Sequence, residues 1–578
     1  MRATKIYILI LTAACFITIS CKNTGSKVEH SKPVEQIKLE RIEVMPNLPK
    51  PFKILDFKDL SLRFDSLVFD KSQTGENWPL IWKDNSRKNF DQETFGIYTA
   101  MGDLRQGSQN HKGIFHESLA TMGAVLGATL VGVDKSNQNG ENYVSMLKNY
   151  FNLDTHWDIM MNNTCPEVAM LGGGYGRDWW YDVYPNILFY GIADFYPNEK
   201  DYTNIQRSIA DKFYKADSVM AGNYDHSFFD YATLEPKDNW ICKQQDAAAG
   251  HAYVLYAAYK KFQDEKYLYG TKSSLEVLLS QQDNSFYEIL MPFGAYIAVR
   301  LNAEEGTSYD ITKIMDWTFN GTPECRKGWG VLVDNWNGYD ISGLVGSTVD
   351  HGGFAFLMNT FDTMWPLVPI VRYDQRYANA IGKWMLNATN ALKFFYPYEI
   401  ADDHQSIPEQ KHHTRGVIAY EGLIKESHFE KYKDLQAPIA IGDGPHWVKG
   451  NPDVSQFSVY GSGHVGIAGS IIERTDITEI LKLNCLATDF YRDPAYPTYL
   501  LYNPHNLDKS ITYKTENKNM VDLYDAISKT IIAKSVNANA KIIIPAINSR
   551  LIVEIPSGTN IVVKDGKYYA NDIIVSYR

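Results

Sequence analysis

Apolar residues in the middle of this chain recur at three- and four-residue steps, in long runs that end in short polar turns. From Ile114, the positions Phe115, Leu119, Met122, Leu126, Leu130 and Val133 follow a helical period. The residues between them, Ala120, Gly123, Ala124, Gly127 and Ala128, are small and permit close helix contact. A helix that is apolar nearly all round belongs in an interior. The runs Ala247-Ala248-Ala249-Gly250 to Tyr256 and Gly352 to Val371 behave the same way. Thr203 to Met220 and Tyr267 to Gln281 instead alternate an apolar face with Lys, Asp and Glu. Buried first helix, polar turn and amphipathic second helix recur about six times. The turns lie at Val133-Asp134-Lys135, Tyr196-Pro197-Asn198-Glu199, Gln263 to Tyr267, Gly306 to Asp310, Tyr373 to Tyr377 and Arg474-Thr475-Asp476. The first helices start near Ile114, Tyr181, Asp246, Ser285, His351 and Phe457. Six such hairpins can close into a two-layered ring with the N-terminal ends of the inner helices on one face. The loops on that face are long and rich in Gly, Trp and Asn, the kind of segment on a rigid scaffold where chemistry sits.

Beyond Asn503-Pro504 the period changes to two, with runs such as Lys541-Ile542-Ile543-Ile544 and Arg550 to Glu554 separated by Ser557-Gly558 and Asp565-Gly566. The expected layout is a targeting segment over 1–21, a Pro-containing polar tether over 22–50, a helical ring with an N-terminal arm over 51–505, and a small antiparallel β-sandwich over 506–578.

The first residues, Met1-Arg2-Ala3-Thr4-Lys5, are basic, and the apolar stretch from Ile6 to Ile19 is short for a membrane span. It ends Thr18-Ile19-Ser20-Cys21, which resembles a bacterial lipoprotein signal with Cys21 as the lipidated residue; Ala13-Ala14-Cys15 is a rival site. The expectation is a lipid-anchored protein of the bacterial envelope, periplasmic or at the outer membrane. A formal charge of −11 speaks against nucleic acid as a partner. With 38 Tyr and 12 Trp, aromatic rings suffice both for a core and for a groove that stacks on sugars. Cys165, Cys242, Cys325 and Cys485 are far apart without CxxC spacing, so they read as small buried hydrophobes, neither a disulfide scaffold nor a zinc site. His412-His413 is a weak metal match, no EF-hand is present, and Gly172-Gly173-Gly174 lacks the residues of a phosphate loop. No metal or cofactor is expected.

The segments Gly176-Arg177-Asp178-Trp179-Trp180-Tyr181-Asp182, Gln245 to Gly250, Asp350-His351-Gly352-Gly353-Phe354 and Ala495-Tyr496-Pro497 carry a resemblance to six-hairpin glycosidases, over roughly residues 90–578. The chain also resembles an uncharacterised bacterial lipoprotein family of that layout. The resemblance implies a mainly α fold, an (α/α)6 toroid followed by a small C-terminal antiparallel β-sandwich. It implies no catalytic assignment, because toroids host hydrolases, lyases and epimerases.

Cleaving a glycosidic bond takes two carboxyl groups, one to protonate the leaving oxygen and one to activate water or attack the sugar. Glu117, Asp178, Asp182, Asp246, Glu288 and Asp350 fall near inner-helix starts, where an acid can equally be an ordinary cap. Asp246 leads, because its Ala- and Gly-rich surroundings leave room for a ligand. Asp350 follows, with His351 beside it. Glu421, between Tyr420 and Gly422, and Asp182 complete the catalytic candidates. Glu117, Arg177, Asp178, Trp179, Trp180, His251, His351 and His464 are the candidates for holding substrate. The leading expectation is an envelope glycoside hydrolase. A polysaccharide lyase drawing on His251, His351, Tyr253, Arg177 and Arg415, or a non-catalytic glycan-binding lipoprotein, are the alternatives.

Overall fold

The computed structural model describes residues 32–106, 116–165, 178–323, 325–442, 450–517 and 519–578. Its main helices, in chain order, are α1 (Phe57–Val68), α2 (Ser118–Leu130), α3 (Trp179–Phe195), α4 (Tyr202–Met220), α5 (Ala247–Phe262) and α6 (Glu265–Ser280). They continue with α7 (Met291–Glu304), α8 (Ile311–Phe319), α9 (Leu357–Tyr373), α10 (Ala378–Ala391) and the short pair α11 (Val459–Gly463) and α12 (Val465–Ile471). Helices α2, α3, α5, α7 and α9 each touch the next, and α11–α12 touches both α9 and α2, so six inner segments close a ring. Outside it, α4 and α6 pack on α5, α8 on α7, α10 on α9, and α1 on α12 and α2.

Side-chain size explains the closure. Every residue of α9 is buried, as is all of α2 except Leu130. A Cβ on Gly466 would lie 2.0 Å from the Gly127 carbonyl oxygen, and one on Gly123 would lie 1.9 Å from His464 Nε2. The small residues thus let α2 and α11–α12 meet at backbone distance.

Two inner helices start later than their periodicity suggests. Helix α7 begins at Met291 because the residues before it form an ordered loop, and α9 begins at Leu357 because Phe354–Phe356 is strand. The sixth hairpin also differs. After Ile471 the chain enters a strand, and the outer place beside α12 is taken by α1 from the N-terminal arm. Asp56 caps α1 by accepting from Asp59 N at 3.0 Å, and Phe57, Leu60, Phe64 and Val68 bury its inner face. The stretch expected as a tether packs on the body from Val34 on. Val34 N donates to Ile527 O at 2.9 Å, Ile37 N to Arg376 O at 2.8 Å, and Leu39, Ile42 and Met45 are buried.

A five-stranded antiparallel sheet interrupts the helices: β1 (Trp329–Val331), β2 (Val345–Ser347), β3 (Phe354–Phe356), β4 (Gly422–Ile424) and β5 (Ile439–Ile441), in the order β5-β4-β3-β2-β1. Strand β3 runs directly into α9.

The C-terminal strands begin at Ile472, earlier than the period-two stretch announces. Strands β6 (Ile472–Arg474), β7 (Leu481–Asn484), β8 (Thr498–Asn503), β9 (Lys509–Lys514), β10 (Val521–Asp525), β11 (Thr530–Val536), β12 (Asn539–Ile544) and β13 (Asn548–Pro556) follow in order. Six of them form an antiparallel sheet, β6-β7-β8-β13-β10-β11. Successive side chains of a strand face opposite ways, and here both faces are covered. Leu500, Tyr502, Leu551 and Val553 join the core of the helical ring, while Tyr499, Leu501 and Ile552 join a second core with Ile511, Tyr513, Ile542 and Ile544 of the β9–β12 ribbon. A three-stranded sheet, β14 (Ile561–Lys564), β15 (Lys567–Ala570) and β16 (Ile573–Ser576), ends the chain.

Candidate active site

Three carboxyl groups gather where the N-terminal ends of α2 and α3 meet the strands in front of α11. Glu117 and Asp178 occupy the positions before α2 and α3 in extended backbone, yet neither side chain caps its helix. An acid at that position usually spends itself on the helix's free N–H groups; these two are aimed elsewhere.

Glu117 accepts from Thr99 Oγ1 at 3.0 Å and from Asn162 Nδ2 at 3.2 Å. Burial raises its pKa, with the Arg105 charge pulling the other way. Arg105 in turn forks onto Asp103, Nε to Oδ1 at 3.1 Å and Nη2 to Oδ2 at 2.8 Å. The Thr99 carbonyl receives the N–H groups of Val459 (2.9 Å) and Tyr460 (3.0 Å), which seats the start of α11 beside Glu117. From there the Tyr460 hydroxyl donates to Glu421. Glu421 is buried at the link between strand Ala419–Tyr420, which pairs with Phe457–Ser458, and β4, which pairs with β3. Its own carbonyl accepts from Leu357 N at 3.0 Å, so backbone pairing fixes it from three sides.

Asp178 Oδ1 accepts from Gln244 Nε2 at 2.6 Å and from the Tyr287 hydroxyl at 3.2 Å. Burial pushes its pKa up to about 6, against the pull of those two donors and of the Arg326 charge. Tyr181, in the first turn of α3 and half-buried, lies within reach of all three charges. Burial and then the charges of Glu117, Asp178 and Glu421 lift its hydroxyl well above the usual tyrosine range, and Arg105 opposes them. Trp180 lies against it at 4.0 Å between ring centroids.

Two more acids stand one and two helices further round the ring. Asp246 is buried before α5, without capping it. Its Oδ2 accepts from Tyr287 N at 3.0 Å, and Oδ1 has no hydrogen-bond partner among the described residues. Burial pushes its pKa up to about 7. Asp246 therefore holds the backbone of the residue whose hydroxyl reaches Asp178. Glu288 pairs with Arg326 and accepts from Asn359 Nδ2 at 2.9 Å. Arg326 lies 3.9 Å from the Trp329 ring centroid.

The structure separates the other candidates from this cluster. Asp350 is exposed and His351 half-buried, on a turn that ends before β3, with His351 at φ +49°. Glu426 N donates to His351 O at 2.8 Å, so this pair sits five residues along from Glu421, roughly 16 Å at strand rise. The expected Asp350–His351 proton pair is therefore outside the acid cluster. His251 does not face a ligand. Tyr231 OH meets its Nε2 at 2.8 Å and Tyr224 OH meets its Nδ1 at 3.3 Å, and burial pushes its pKa down to about 3. Trp179 is no sugar platform either: it is fully buried, stacked on Tyr224 at 5.6 Å, and donates to Tyr231 OH at 3.2 Å. Asp182 is buried a turn into α3 and its charge bears on Tyr231, beside His251. His464 is a tie within the ring, Nδ1 to Asp362 Oδ1 at 2.6 Å and Nε2 to the Leu119 carbonyl at 2.9 Å. Of the lyase set, Tyr253 packs in the core against Phe293 and Trp365, and Arg415 lies over Trp78 at 5.0 Å, so His251, Tyr253 and Arg415 are not brought together. Arg177 and Cys21 lie outside the described residues.

Sequence reading passed over Gln244, Tyr287, Arg326, Tyr460 and Thr99. Gln244 and Tyr287 carried a signal, as polar residues in the loops just before buried helices. Thr99 and Tyr460 carried none, because they join the site from distant parts of the chain.

Among the described residues, no group of three or more His, Cys, Asp and Glu could hold a metal ion, and no helix is long and apolar enough to cross a membrane. Cys242 and Cys325, expected as isolated buried residues, form a disulfide, while Cys165 and Cys485 are buried.

No protein-family model and no curated protein matches this chain. Among solved structures, 95% of it aligns with 86% of a family 127 β-arabinofuranosidase at 11% identity and a TM-score of 0.38. The alignment with a family 127 β-L-arabinofuranosidase from Geobacillus stearothermophilus T6 covers 90% of this chain and 85% of that one, at 10% identity and a TM-score of 0.31. An Anoxybacillus α-amylase matches 19% of this chain over 26% of its own length, at 12% identity and a TM-score of 0.12. Likenesses of this degree carry no weight for reaction or substrate, and the functional reading rests on the geometry.

Proposed function

We propose that this protein is a glycoside hydrolase of the bacterial envelope, acting on a glycan or oligosaccharide, with Asp178 as proton donor and Glu421 as the second carboxylate. The observation that carries the reading is the placement of Glu117 and Asp178 before adjacent inner helices, with Glu421 tied to Glu117 through Thr99 and Tyr460, and with all three charges bearing on Tyr181. Hydrolysis of an acetal needs one carboxyl protonated and another ionised at the same pH. Asp178, raised to about 6 by burial, keeps a protonated fraction near neutrality and can protonate the leaving oxygen. Glu421, held by Tyr460, works on the other side of the sugar by activating water or attacking the anomeric carbon. Glu117, with donors on both oxygens, is suited to orienting a sugar hydroxyl. The half-buried Tyr181 ring offers a flat apolar surface of the kind a sugar face covers.

Asp246 and Tyr287 support the donor: the first holds the second, and the second donates to Asp178. Hydrolysis is favoured over β-elimination because His251 and Tyr253, two of the bases elimination would draw on, are buried in the core, the first bonded to Tyr231 and the second packed against Phe293. The envelope location rests on the Cys21 signal, and a disulfide between Cys242 and Cys325 fits an oxidising compartment.

The test incubates the chain from Lys32 onward with a panel of plant, algal and host glycans, following products by mass and ultraviolet absorbance. The expected product gains one water and does not absorb. Asp178→Asn and Glu421→Gln should each lower turnover by about 10²- to 10⁴-fold, the usual contribution of a positioned acid or base. An absorbing, unsaturated product would replace hydrolysis with elimination. Saturable binding without turnover would make this a glycan-binding protein, and full activity in both variants would remove the assigned pair.

A further inference from the structure

Cys242 and Cys325 are joined across 83 positions with their Cα atoms 5.5 Å apart. Cys242 belongs to the loop before α5, and Cys325 to the loop between α8 and β1. Just beyond its cysteine each loop carries a group that acts on the proton donor, one by hydrogen bond and the other by charge. Two residues after Cys242, Gln244 is held at three points: its N donates to His226 O at 2.9 Å, its Oε1 accepts from Trp180 N at 3.1 Å, and its Nε2 reaches Asp178 at 2.6 Å. One residue after Cys325, Arg326 pairs with Glu288 over the Trp329 ring, and its charge bears on Asp178. A cavity of about 420 Å³ opens at the bond, lined by Cys242, Lys243, Gln245, Asn284, Phe286 and Cys325. Packing is therefore thin where the two loops meet, and a covalent link there takes over what close packing does elsewhere. Cys325 is exposed, so a reductant can reach the bond.

We propose that the Cys242–Cys325 disulfide is a clasp that positions Gln244 and Arg326 on Asp178, so that the donor is set correctly only in the oxidised protein. The inference rests on Asp178 as proton donor. The groups that act on Asp178 are Gln244 and Tyr287 by hydrogen bond, Arg326 by charge, and Tyr181 from its own helix. Gln244, Tyr287 and Arg326 all favour the ionised carboxylate against burial. Opening the clasp relaxes two of them together and leaves burial less opposed, so Asp178 should hold its proton to higher pH.

The experiment compares oxidised protein, protein reduced with a phosphine, and the Cys242→Ala/Cys325→Ala double variant. In the reduction the S–S bond takes two electrons from the phosphine and two protons from water to give two thiols, and the phosphine keeps the water's oxygen as its oxide. Asp178 is titrated directly through the infrared band of its protonated carboxyl, identified by its absence in Asp178→Asn, and the pH profile of kcat/KM is recorded alongside. The expected result is a titration about one pH unit higher in the reduced protein and in the double variant, the scale set by loss of a nearby opposite charge. The alkaline limb of activity should move with it, and reoxidation should restore both. An unchanged or lower titration, even with a lower melting temperature, would make the bond a mere staple and overturn the proposal. Absence of turnover on every glycan would strike the hydrolase reading alone, since the infrared titration needs no substrate.

Discussion

Replacing Asp178 with Asn should lower turnover by about 10²- to 10⁴-fold and yet stabilise the protein, and the size of the gain follows from the structure. Asp178 is buried with two neutral donors on one oxygen and no ion pair to it among the described contacts. Its carboxyl moves from the ordinary 3.8 to about 6 on folding, with burial as the cause. A group that binds its proton more tightly in the folded state costs stability as pH rises from the unfolded value to the folded one. Below pH 3.8 it costs nothing, and above about 6 the full penalty is present. At about 1.4 kcal/mol per pH unit, that penalty is about 3 kcal/mol above neutrality. Asn keeps an oxygen for Gln244 and Tyr287 without the charge. Denaturant unfolding of wild type and Asp178→Asn, run at several pH values from acid to pH 8, should therefore diverge: no difference at the acid end and a more stable variant at pH 8. A variant equally or less stable at pH 8, or a difference independent of pH, would refute the burial account of this acid.

Tyr287→Phe removes one donor from the Asp178 carboxylate and should carry the alkaline limb of kcat/KM upward by about one pH unit, since a hydrogen bond to a charged group is worth about 1.5–3 kcal/mol; a downward movement would contradict it. His464→Gln leaves Asp362 buried without its partner and should cost about 3–5 kcal/mol. The His464 pKa is raised, with burial opposing and the Asp362 charge and the Leu119 carbonyl prevailing, so the cost should be largest below pH 6.5 and shrink as pH rises through the raised value, as urea midpoints across that range would report. Gly466→Ala places a methyl 2.0 Å from the Gly127 carbonyl, and calorimetry should show a loss of at least about 1–3 kcal/mol from overpacking the ring closure. Asp350→Asn, on the exposed turn, should leave glycan turnover unchanged in the same assay that loses it with Glu421→Gln.

These expectations divide between residues that the chain announces and residues that it hides. The run of small residues from Ala120 to Ala128 announces a helix in tight contact, and α2 meets α11–α12 there at backbone distance. Asp178 and Asp246 were visible as acids at helix starts. Whether they cap those helices was not, because capping depends on where the side chain turns, and in both cases it turns away. In the sequence His251, His464 and Glu117 look alike, as ionisable residues near the starts of inner helices. What separates them is what they meet: two tyrosine hydroxyls for His251, a carboxylate and a carbonyl for His464, and Thr99 and Asn162 for Glu117. The outer place beside α12 was misread because α1 lies about 400 positions from α12, and local periodicity says nothing about partners at that distance.

The sequence by itself therefore determined the repeated pairing of buried and amphipathic helices, the acids at the mouth, and the change to strands near the C-terminus, because each is written in the spacing of neighbours along the chain. Tertiary structure alone decided which acids share a space, which histidines are spent in the core, and which two cysteines join. Those outcomes depend on burial and on contacts between distant segments, and both come into being only when the ring closes.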